Sequence, residues 1–308
     1  MESVGSDLVV TALAALHQSE KHVSLLYSKG LLYWVFSDDW PAKNAAAGRL
    51  FASLDDACAA ELSVAPPGSL GYYNDADLRI AASFLKAYPQ GMLLDVGANY
   101  GREAIRLALL KRHLGFAVSE GPSVIALEPG PVRHLAAVNI DFHDVREIEL
   151  LPCAAGAKRT YAPISIAEDN TLSGSLVLQK ENRPTLLVKV TPLDDVLSYY
   201  NVDAPVFLKV DTQGGESEVL AGLSAFRKDH PICGIFEFSP GIMKRLVDPK
   251  DFLKSLLDDF TIIDIGQAHG ENRTIERNDI DDFLAEIAAS ELKLTDLILI
   301  DKRIDGFG

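Results

Sequence analysis

The stretch Leu93-Leu94-Asp95-Val96-Gly97-Ala98-Asn99-Tyr100-Gly101 decides the fold, because it describes a strand that runs into a glycine-bearing turn. Its apolar start predicts a buried strand, and the next segment, Glu103–Arg112, has a helical pattern. Glycine lets a backbone approach a ligand closely, and the first turn of the following helix offers free N–H groups. In open α/β sheets the carboxyl end of a strand is where ligands bind.

Outward from this turn, short apolar strands alternate with amphipathic helices from residue 91 onward. This alternation predicts an α/β fold in which a mostly parallel sheet is covered by helices on both faces. The predicted helices are Glu103–Arg112, Val132–Phe142, Glu216–Phe226 and Asp279–Ala289. The predicted strands are Met92–Val96, Val124–Glu128, Ile148–Pro152, Leu186–Val190, Val206–Val210, Ile232–Phe238, Phe260–Ile265 and Leu297–Ile300.

Residues 1–88 differ from the rest of the chain, because their apolar residues have helical spacing and no clear strands are predicted. The alanine-rich segment Ala45–Leu62 predicts a helix there. We therefore divide the chain into a helical N-terminal region, 1–88, and a ligand-binding α/β domain, 89–308. The aromatic residues of the first region are typical of core packing, with an acceptor cap or a homodimer surface as the alternatives; they are Trp34, Trp40, Tyr72 and Tyr73.

The composition excludes some classes of function. The chain has 308 residues, of which 48% are hydrophobic, and it carries a net charge of −15. Such an acidic surface repels nucleic-acid phosphates and anionic lipid head groups, so we expect neither as a partner. The apolar stretch Leu25–Phe36 is interrupted by polar residues and is too short to span a bilayer, so we expect no membrane insertion.

The cysteines predict the compartment. Cys58, Cys153 and Cys233 are few, odd in number and far apart, which is typical of free thiols in a reducing environment. The N-terminus lacks the basic segment and apolar segment of a secretion signal. We therefore expect a cytoplasmic protein.

A second carboxylate points to an adenosyl ligand. Glu128 ends the second predicted strand and is followed by Pro129, a position suited to binding both ribose hydroxyls of an adenosine. NAD would use the same geometry. However, Gly97 and Gly101 have the spacing G-x-x-x-G, and Asp95 would repel a pyrophosphate while it could accept a hydrogen bond from an amine. These residues favour S-adenosylmethionine as the cofactor.

Three side chains are candidates for catalysis. Asp211 follows the strand Val206–Val210, and Glu237 lies at the end of the next apolar strand, so each is a hypothetical base, acceptor-orienting group or shared ligand of a divalent metal. His269 lies on a later loop and is an alternative base. The competing interpretation of Asp211 is a helix N-cap, with Glu216 helping that helix to begin.

Several separated motifs together resemble the FkbM family of methyltransferases. They cover roughly residues 91–240 in the family's order: Asp95-Val96-Gly97-Ala98-Asn99-x-Gly101, Ala126-Leu127-Glu128-Pro129, Asn139, Thr191-Pro192-Leu193-Asp194-Asp195-Val196 and Leu208-Lys209-Val210-Asp211-Thr212-Gln213-Gly214-Gly215-Glu216. Asn99 stands where many class I methyltransferases have glycine, but it fits this family. Gln213 and Gly215 are departures, because the family often has Glu and Ala there.

The resemblance implies a class I, Rossmann-like methyltransferase fold with a seven-stranded sheet whose last strand, Leu297–Ile300, is antiparallel. It also implies S-adenosylmethionine as methyl donor and a hydroxyl acceptor on a sugar, glycan or secondary metabolite. The implied donor site holds Asp95, Gly97, Asn99, Gly101, Glu128, Pro129 and Asp211, together with Ala154 on a segment that commonly lines the adenine. The alternatives are a nicotinamide-dependent oxidoreductase, a non-catalytic adenosyl-ligand-binding protein and an N-methyltransferase.

Overall fold

The computed structural model describes residues 23–28, 31–37, 49–53, 76–116, 121–165, 175–177, 185–266 and 272–304. The strands are β1 (Val23–Ser28), β2 (Leu31–Ser37), β3 (Arg49–Ser53), β4 (Met92–Val96), β5 (Val124–Leu127), β6 (Ile148–Leu151), β7 (Ala154–Ala155), β8 (Thr160–Ser165), β9 (Thr185–Thr191), β10 (Val206–Val210), β11 (Ile232–Phe238), β12 (Phe260–Asp264), β13 (Arg273–Thr274) and β14 (Thr295–Asp301). The helices are α1 (Ala76–Ala87), α2 (Arg102–His113), α3 (Arg133–Phe142), α4 (Leu193–Tyr199), α5 (Glu216–Ala221), α6 (Phe226–Asp229), α7 (Pro240–Met243), α8 (Pro249–Asp259) and α9 (Ile280–Ala289).

The main sheet has the order β13-β12-β14-β11-β10-β4-β5-β6. Neighbours from β11 to β6 run parallel, whereas β14 runs antiparallel to both β11 and β12. This confirms the predicted α/β fold with its mostly parallel sheet and antiparallel last strand. The sheet has eight strands rather than the predicted seven, because the two-residue strand β13 pairs with the edge of β12.

The sheet separates two hydrophobic layers. Side chains alternate between the faces of a strand, so Leu93 and Phe207 pack in one layer while Leu94 and Leu208 pack in the other. Each of these side chains is fully buried, which contributes roughly 1.5–3 kcal/mol of stability apiece. Helix α1 covers the first layer, where the ring centroid of Phe84 lies 5.8 Å from that of Phe207.

The prediction of a helical N-terminal region is correct for α1 and wrong for three other segments. Strands β1, β2 and β3 form an antiparallel sheet, and β3 lies inside the predicted helix Ala45–Leu62. Val23–Ser28 and Leu31–Ser37 are rich in β-branched, aromatic and leucine residues, which favour strands. In so dense an apolar patch, helical and strand spacing are both satisfied. The division at residue 88 stays a prediction.

A second small sheet holds a strand that the sequence assigns to the main sheet. Strand β9, predicted as Leu186–Val190, pairs with β7 and β8 instead. It pairs with β8 over Thr160–Ser165, in a region whose polar sequence gave no strand signal. Within the ranges given above, no helix is long and apolar enough to cross a membrane.

Candidate functional site

The glycine turn after β4 lies directly against the loop after β10. Gly97 has φ +90, and a Cβ atom built on it would lie 1.9 Å from the backbone oxygen of Asp211. The Asp211 N–H in turn donates a hydrogen bond of 2.9 Å to the carbonyl of Val96. Only glycine fits both this backbone angle and this approach. The two loops therefore contact each other directly at the carboxyl ends of adjacent strands.

Asp95 lies buried beneath this turn. Its Oδ2 accepts a hydrogen bond of 2.9 Å from the backbone N–H of Ala104 and so caps the first turn of α2. Burial, together with the nearby charge of Glu103, raises the pKa of Asp95 to about 8, although Lys209 acts in the opposite direction. A cation that reached Asp95 would favour its ionised form. The side chain is therefore suited to a positively charged ligand.

Glu128 and Asn99 are joined across the ends of β4 and β5. The Asn99 N–H donates to Glu128 Oε2 at 2.9 Å, and the Gly130 N–H donates to Oε1 at 2.6 Å, across the intervening Pro129. Asn99 has φ +50, a left-handed conformation that asparagine tolerates. Its side-chain oxygen Oδ1 is buried and accepts no hydrogen bond from the described part of the chain. A buried acceptor without a donor is the feature that a ligand N–H would satisfy.

Helix α3 fixes the far end of the turn. Gly101 has φ +80, and a Cβ atom there would lie 3.3 Å from that of Ala136. The Asn139 side chain donates a hydrogen bond of 2.8 Å to the carbonyl of Tyr100. Ala154, by contrast, lies in β7, where it is buried with Ile164 of the small sheet. The structure therefore brings together the predicted donor-site residues at the ends of β4 and β5, while the place of Ala154, in the small sheet, beside the adenine stays a prediction.

Asp211 and Glu237 meet through a third residue. The side-chain amide nitrogen Nε2 of Gln213 donates to Asp211 Oδ1 at 3.0 Å and to Glu237 Oε2 at 2.9 Å. The Ser239 hydroxyl donates to the other oxygen of Glu237 at 2.9 Å. Burial and the neighbouring charge of Asp211 raise the pKa of Glu237 well above its usual value. The predicted pair of acids is therefore adjacent, and Glu237 faces the same side as Asp211.

Glu216 has the structural role that the sequence favoured. Its Oε1 accepts hydrogen bonds from the backbone N–H of Thr212 at 3.2 Å, from the Thr212 hydroxyl at 3.0 Å and from the Gly214 N–H at 3.1 Å. These bonds hold the loop before α5. Burial raises the pKa of Glu216 to about 7.

Lys209 is a residue that the sequence interpretation missed. It lies in β10, opposite Asp95 of β4 in the parallel register, and is only 4% exposed. Its Nζ lies 3.7 Å from a carboxylate oxygen of Asp296 on β14. The missed signal was a charged residue inside the apolar run Val206–Val210, because a buried ammonium requires carboxylates around it.

Three further predictions concern His269, a divalent metal and the cysteines. His269 lies outside the described residues. For a divalent metal, the ranges that the structure describes contain no group of three or more His, Cys, Asp or Glu side chains arranged to hold one. Cys153 and Cys233 are free and buried, whereas Cys58 lies outside those ranges.

The doubly wound sheet, its antiparallel last strand and the glycine turn at its centre define the class I methyltransferase fold. Residues 95–287 match the family model of the methyltransferase FkbM domain, which is more than half of the chain. The protein therefore belongs to the FkbM methyltransferase family. No curated protein shows significant sequence similarity to it.

Solved structures with a related fold include methyltransferases from several bacteria. The methyltransferase FkbM from Methylobacillus flagellatus KT is 18% identical over 68% of this chain and 43% of its own, with a TM-score of 0.40. An O-methyltransferase from Bacillus cereus in complex with SAH is 12% identical over 74% and 82%, with a TM-score of 0.38. The O-methyltransferase TomG from Streptomyces achromogenes, in complex with SAM, is 12% identical over 77% and 83%, with a TM-score of 0.37. The chain thus spans less than half the length of the first of these proteins.

Proposed function

We propose that the protein is an S-adenosylmethionine-dependent O-methyltransferase that acts on a hydroxyl of a sugar, glycan or secondary metabolite. The observation that carries this proposal is the junction of Asn99 with Glu128. The Asn99 backbone N–H holds the Glu128 carboxylate, and the same Asn99 carries a buried side-chain oxygen, Oδ1, that accepts no hydrogen bond from the described residues. Membership of the FkbM family supports methyl transfer as the class of reaction.

The residues around the turn fit the polar groups of the donor. The amino group of a methionine moiety needs acceptors, which Asp95 and the Oδ1 atom of Asn99 would supply. Each oxygen of Glu128 accepts one backbone N–H and retains a lone pair, so the carboxylate can still accept hydrogen bonds from two ribose hydroxyls. Pro129 has a fixed φ and so restricts the backbone after Glu128. Gly97 has no side chain, so a ligand can approach its backbone closely.

The residues at the end of β10 and β11 supply the remaining chemistry. When bound, the donor provides a methyl group on a positively charged sulfur, which an acceptor oxygen can attack. A neutral hydroxyl must lose its proton during this attack, so a carboxylate within reach would assist. Asp211 and Glu237 are the carboxylates that Gln213 holds together at this edge of the sheet. We assign proton removal to this pair and orientation of the acceptor to Asp211.

Calorimetry tests donor binding. We expect S-adenosylhomocysteine to bind with micromolar affinity and NAD not to bind. Asp95→Asn and Glu128→Gln should each weaken S-adenosylhomocysteine binding by at least about tenfold, because each removes a charge-assisted hydrogen bond. The exposed variants Asp229→Asn and Glu218→Gln are the matched controls and should bind normally. Equal affinity in all five proteins, or preferential binding of NAD, would contradict the proposal.

Methyl transfer itself requires a second measurement. Labelled donor should transfer its methyl group to a member of a panel of neutral sugars, glycolipids and polyketides, both with and without magnesium. Loss of transfer in Asp211→Asn, with donor affinity retained, would support the assigned proton removal. Donor binding without transfer to any hydroxyl, and an Asp211→Asn protein with unchanged function, would instead indicate a non-catalytic adenosyl-ligand-binding protein.

A further inference from the structure

The loop after β10 places one amide group between two acids. Nε2 of Gln213 lies 3.0 Å from Asp211 Oδ1 and 2.9 Å from Glu237 Oε2. A side-chain amide nitrogen carries two hydrogens, and this geometry uses one for each carboxylate. We propose that Gln213 is a positioning residue that holds Asp211 and Glu237 together as one proton-accepting pair, a role that rests on the proposed transfer to a hydroxyl.

The loop leaves Gln213 little freedom. Its backbone has φ +56, a left-handed conformation that few non-glycine residues adopt. The Ser175 hydroxyl donates a hydrogen bond of 2.9 Å to its backbone carbonyl. The next residue, Gly214, has φ +97 and packs so closely on Ile242 that a Cβ atom there would lie 2.3 Å from its Cγ2. A strained backbone held from both sides sets the direction of the Gln213 side chain.

The charges around Glu237 explain why a neutral donor is needed between the acids. Glu237 faces Asp211 on the loop after β10, Glu216 on α5 and Asp296 on β14, while the cation Lys209 acts on it in the opposite direction. Ionised carboxylates this close repel one another, which adds to burial in raising the pKa of Glu237. Two N–H bonds from Gln213 stabilise the ionised form and keep the pair able to accept a proton.

In the proposed methyl transfer, the Asp211 and Glu237 pair takes up the proton that the acceptor hydroxyl loses. A lone pair of the acceptor oxygen forms the new O–C bond, while the electrons of the breaking C–S bond return to sulfur. The hydroxyl proton passes to the Asp211 and Glu237 pair and later leaves to solvent. A glutamate at position 213 would replace the shared donor with a third acceptor. Gln213 therefore joins the two acids without adding a charge.

The test is a carboxyl ¹³C NMR titration of the free protein, with the Glu237 signal assigned through Glu237→Gln. Gln213→Met removes both hydrogen bonds at similar size, and we expect the midpoint of Glu237 to rise by about one pH unit. Gln213→Glu keeps the length of the side chain and adds a charge, so the rise should be larger. The exposed Gln90 provides the matched controls Gln90→Met and Gln90→Glu, which should leave the midpoint unchanged.

The outcomes separate this inference from the proposed function. An unchanged Glu237 midpoint in the two Gln213 variants would overturn the bridge, whatever the protein methylates. If Gln213→Met does not fold, Gln213→Glu alone gives the same decision. Absence of S-adenosylhomocysteine binding in the wild type would contradict the proposed function. The titration of Glu237 would still show whether Gln213 bridges the two acids.

Discussion

At the scale of single residues, the buried cation Lys209 lies among several acids of the candidate site. Lys209 lies opposite Asp95 on the neighbouring strand and within 3.7 Å of Asp296. Its charge lowers the pKa values of both Asp95 and Glu237, whereas burial raises them. The balance of these effects leaves Asp95 with a pKa of about 8, near the working range of most proteins. The charge on Asp95 can therefore change when a cation comes close to it.

Donor affinity should rise with pH because Asp95 must be ionised to attract the amino group of the ligand. With a pKa of about 8 in the free protein, binding below that value requires the release of a proton. The affinity for S-adenosylhomocysteine should therefore increase by up to about tenfold per pH unit between pH 6 and pH 8. Calorimetry in buffers of different ionisation enthalpy would measure both the affinity and the proton release. Asp95→Asn should remove the pH dependence, and an identical slope in this variant would contradict the role of Asp95.

Removal of the Lys209 ammonium should shift the pH dependence of donor affinity to higher pH. Lys209→Met keeps the aliphatic bulk but removes the charge that lowers the pKa of Asp95. We expect the affinity to level off at a higher pH than in the wild type, and affinity at pH 7 to fall by about tenfold or more. Lys302→Met, at an exposed lysine, is the control. A Lys209→Met profile that coincides with that of the wild type would show that the ammonium has no electrostatic role at the site.

At the scale of elements, the contact between the turn after β4 and the loop after β10 requires glycine. Gly97→Ala would drive a Cβ atom into the Asp211 carbonyl at a φ that alanine disfavours, so it should lower the free energy of unfolding by about 3 kcal/mol. Gly115→Ala has a similar φ, +74, but open space, and should cost only about 1 kcal/mol. Urea denaturation measures both. Equal losses would mean that the backbone angle alone, and not the close approach, selects glycine.

Helix α1 should behave as part of the α/β unit. Phe84 is fully buried against Phe207 of β10, so Phe84→Ala should lower the free energy of unfolding by about 3–5 kcal/mol. The half-exposed Leu292 provides the control, since Leu292→Ala should change stability by less than about 0.5 kcal/mol. A loss below 1 kcal/mol for Phe84→Ala would show that α1 does not contribute to the core of the sheet.

At the scale of the whole molecule, buried acids set the pH range of stability. Asp95 has a folded pKa of about 8 against 3.8 in an ordinary aspartate, and Glu216 about 7 against 4.5. Between these values the folded chain binds protons that the unfolded chain has lost. Stability is therefore greatest at the acidic end of this window and falls as pH rises, by up to about 1.4 kcal/mol per pH unit for each group.

Denaturation by urea at pH 5.5, 6.5 and 7.5 checks this decline in the free energy of unfolding. Asp95→Asn and Glu216→Gln should each flatten the dependence, because an amide needs no proton to remain neutral. Glu218→Gln, which alters an exposed acid on the same helix as Glu216, should leave the slope intact. Stability that is constant or rises toward pH 7.5 would contradict the assigned burial of these two acids.

The sequence by itself determined the parallel core and the edge of the sheet at which the candidate site lies. Strands β4, β10 and β11 have the bounds that their apolar runs predict, because such runs between turn residues are local signals. The glycine turn after β4 and the acids at the ends of these strands, Asp95, Asp211 and Glu237, are also visible in the local sequence. The motifs were also sufficient for the family, which the model of residues 95–287 confirmed. Where a property depends on neighbours in the chain, sequence patterns were sufficient.

Only the tertiary structure decided which side chains meet. Gln213 bridges Glu237 from 24 positions away, and Lys209 meets Asp296 across three strands, so neither contact has a local signal. The assignment of β9 to the small sheet likewise depends on strand pairing, and β1 to β3 arise in a segment whose apolar spacing suits helix and strand equally. Pairing of this kind is set by register between distant segments, and the energies that fix it come from burial and hydrogen bonds formed after the chain has folded.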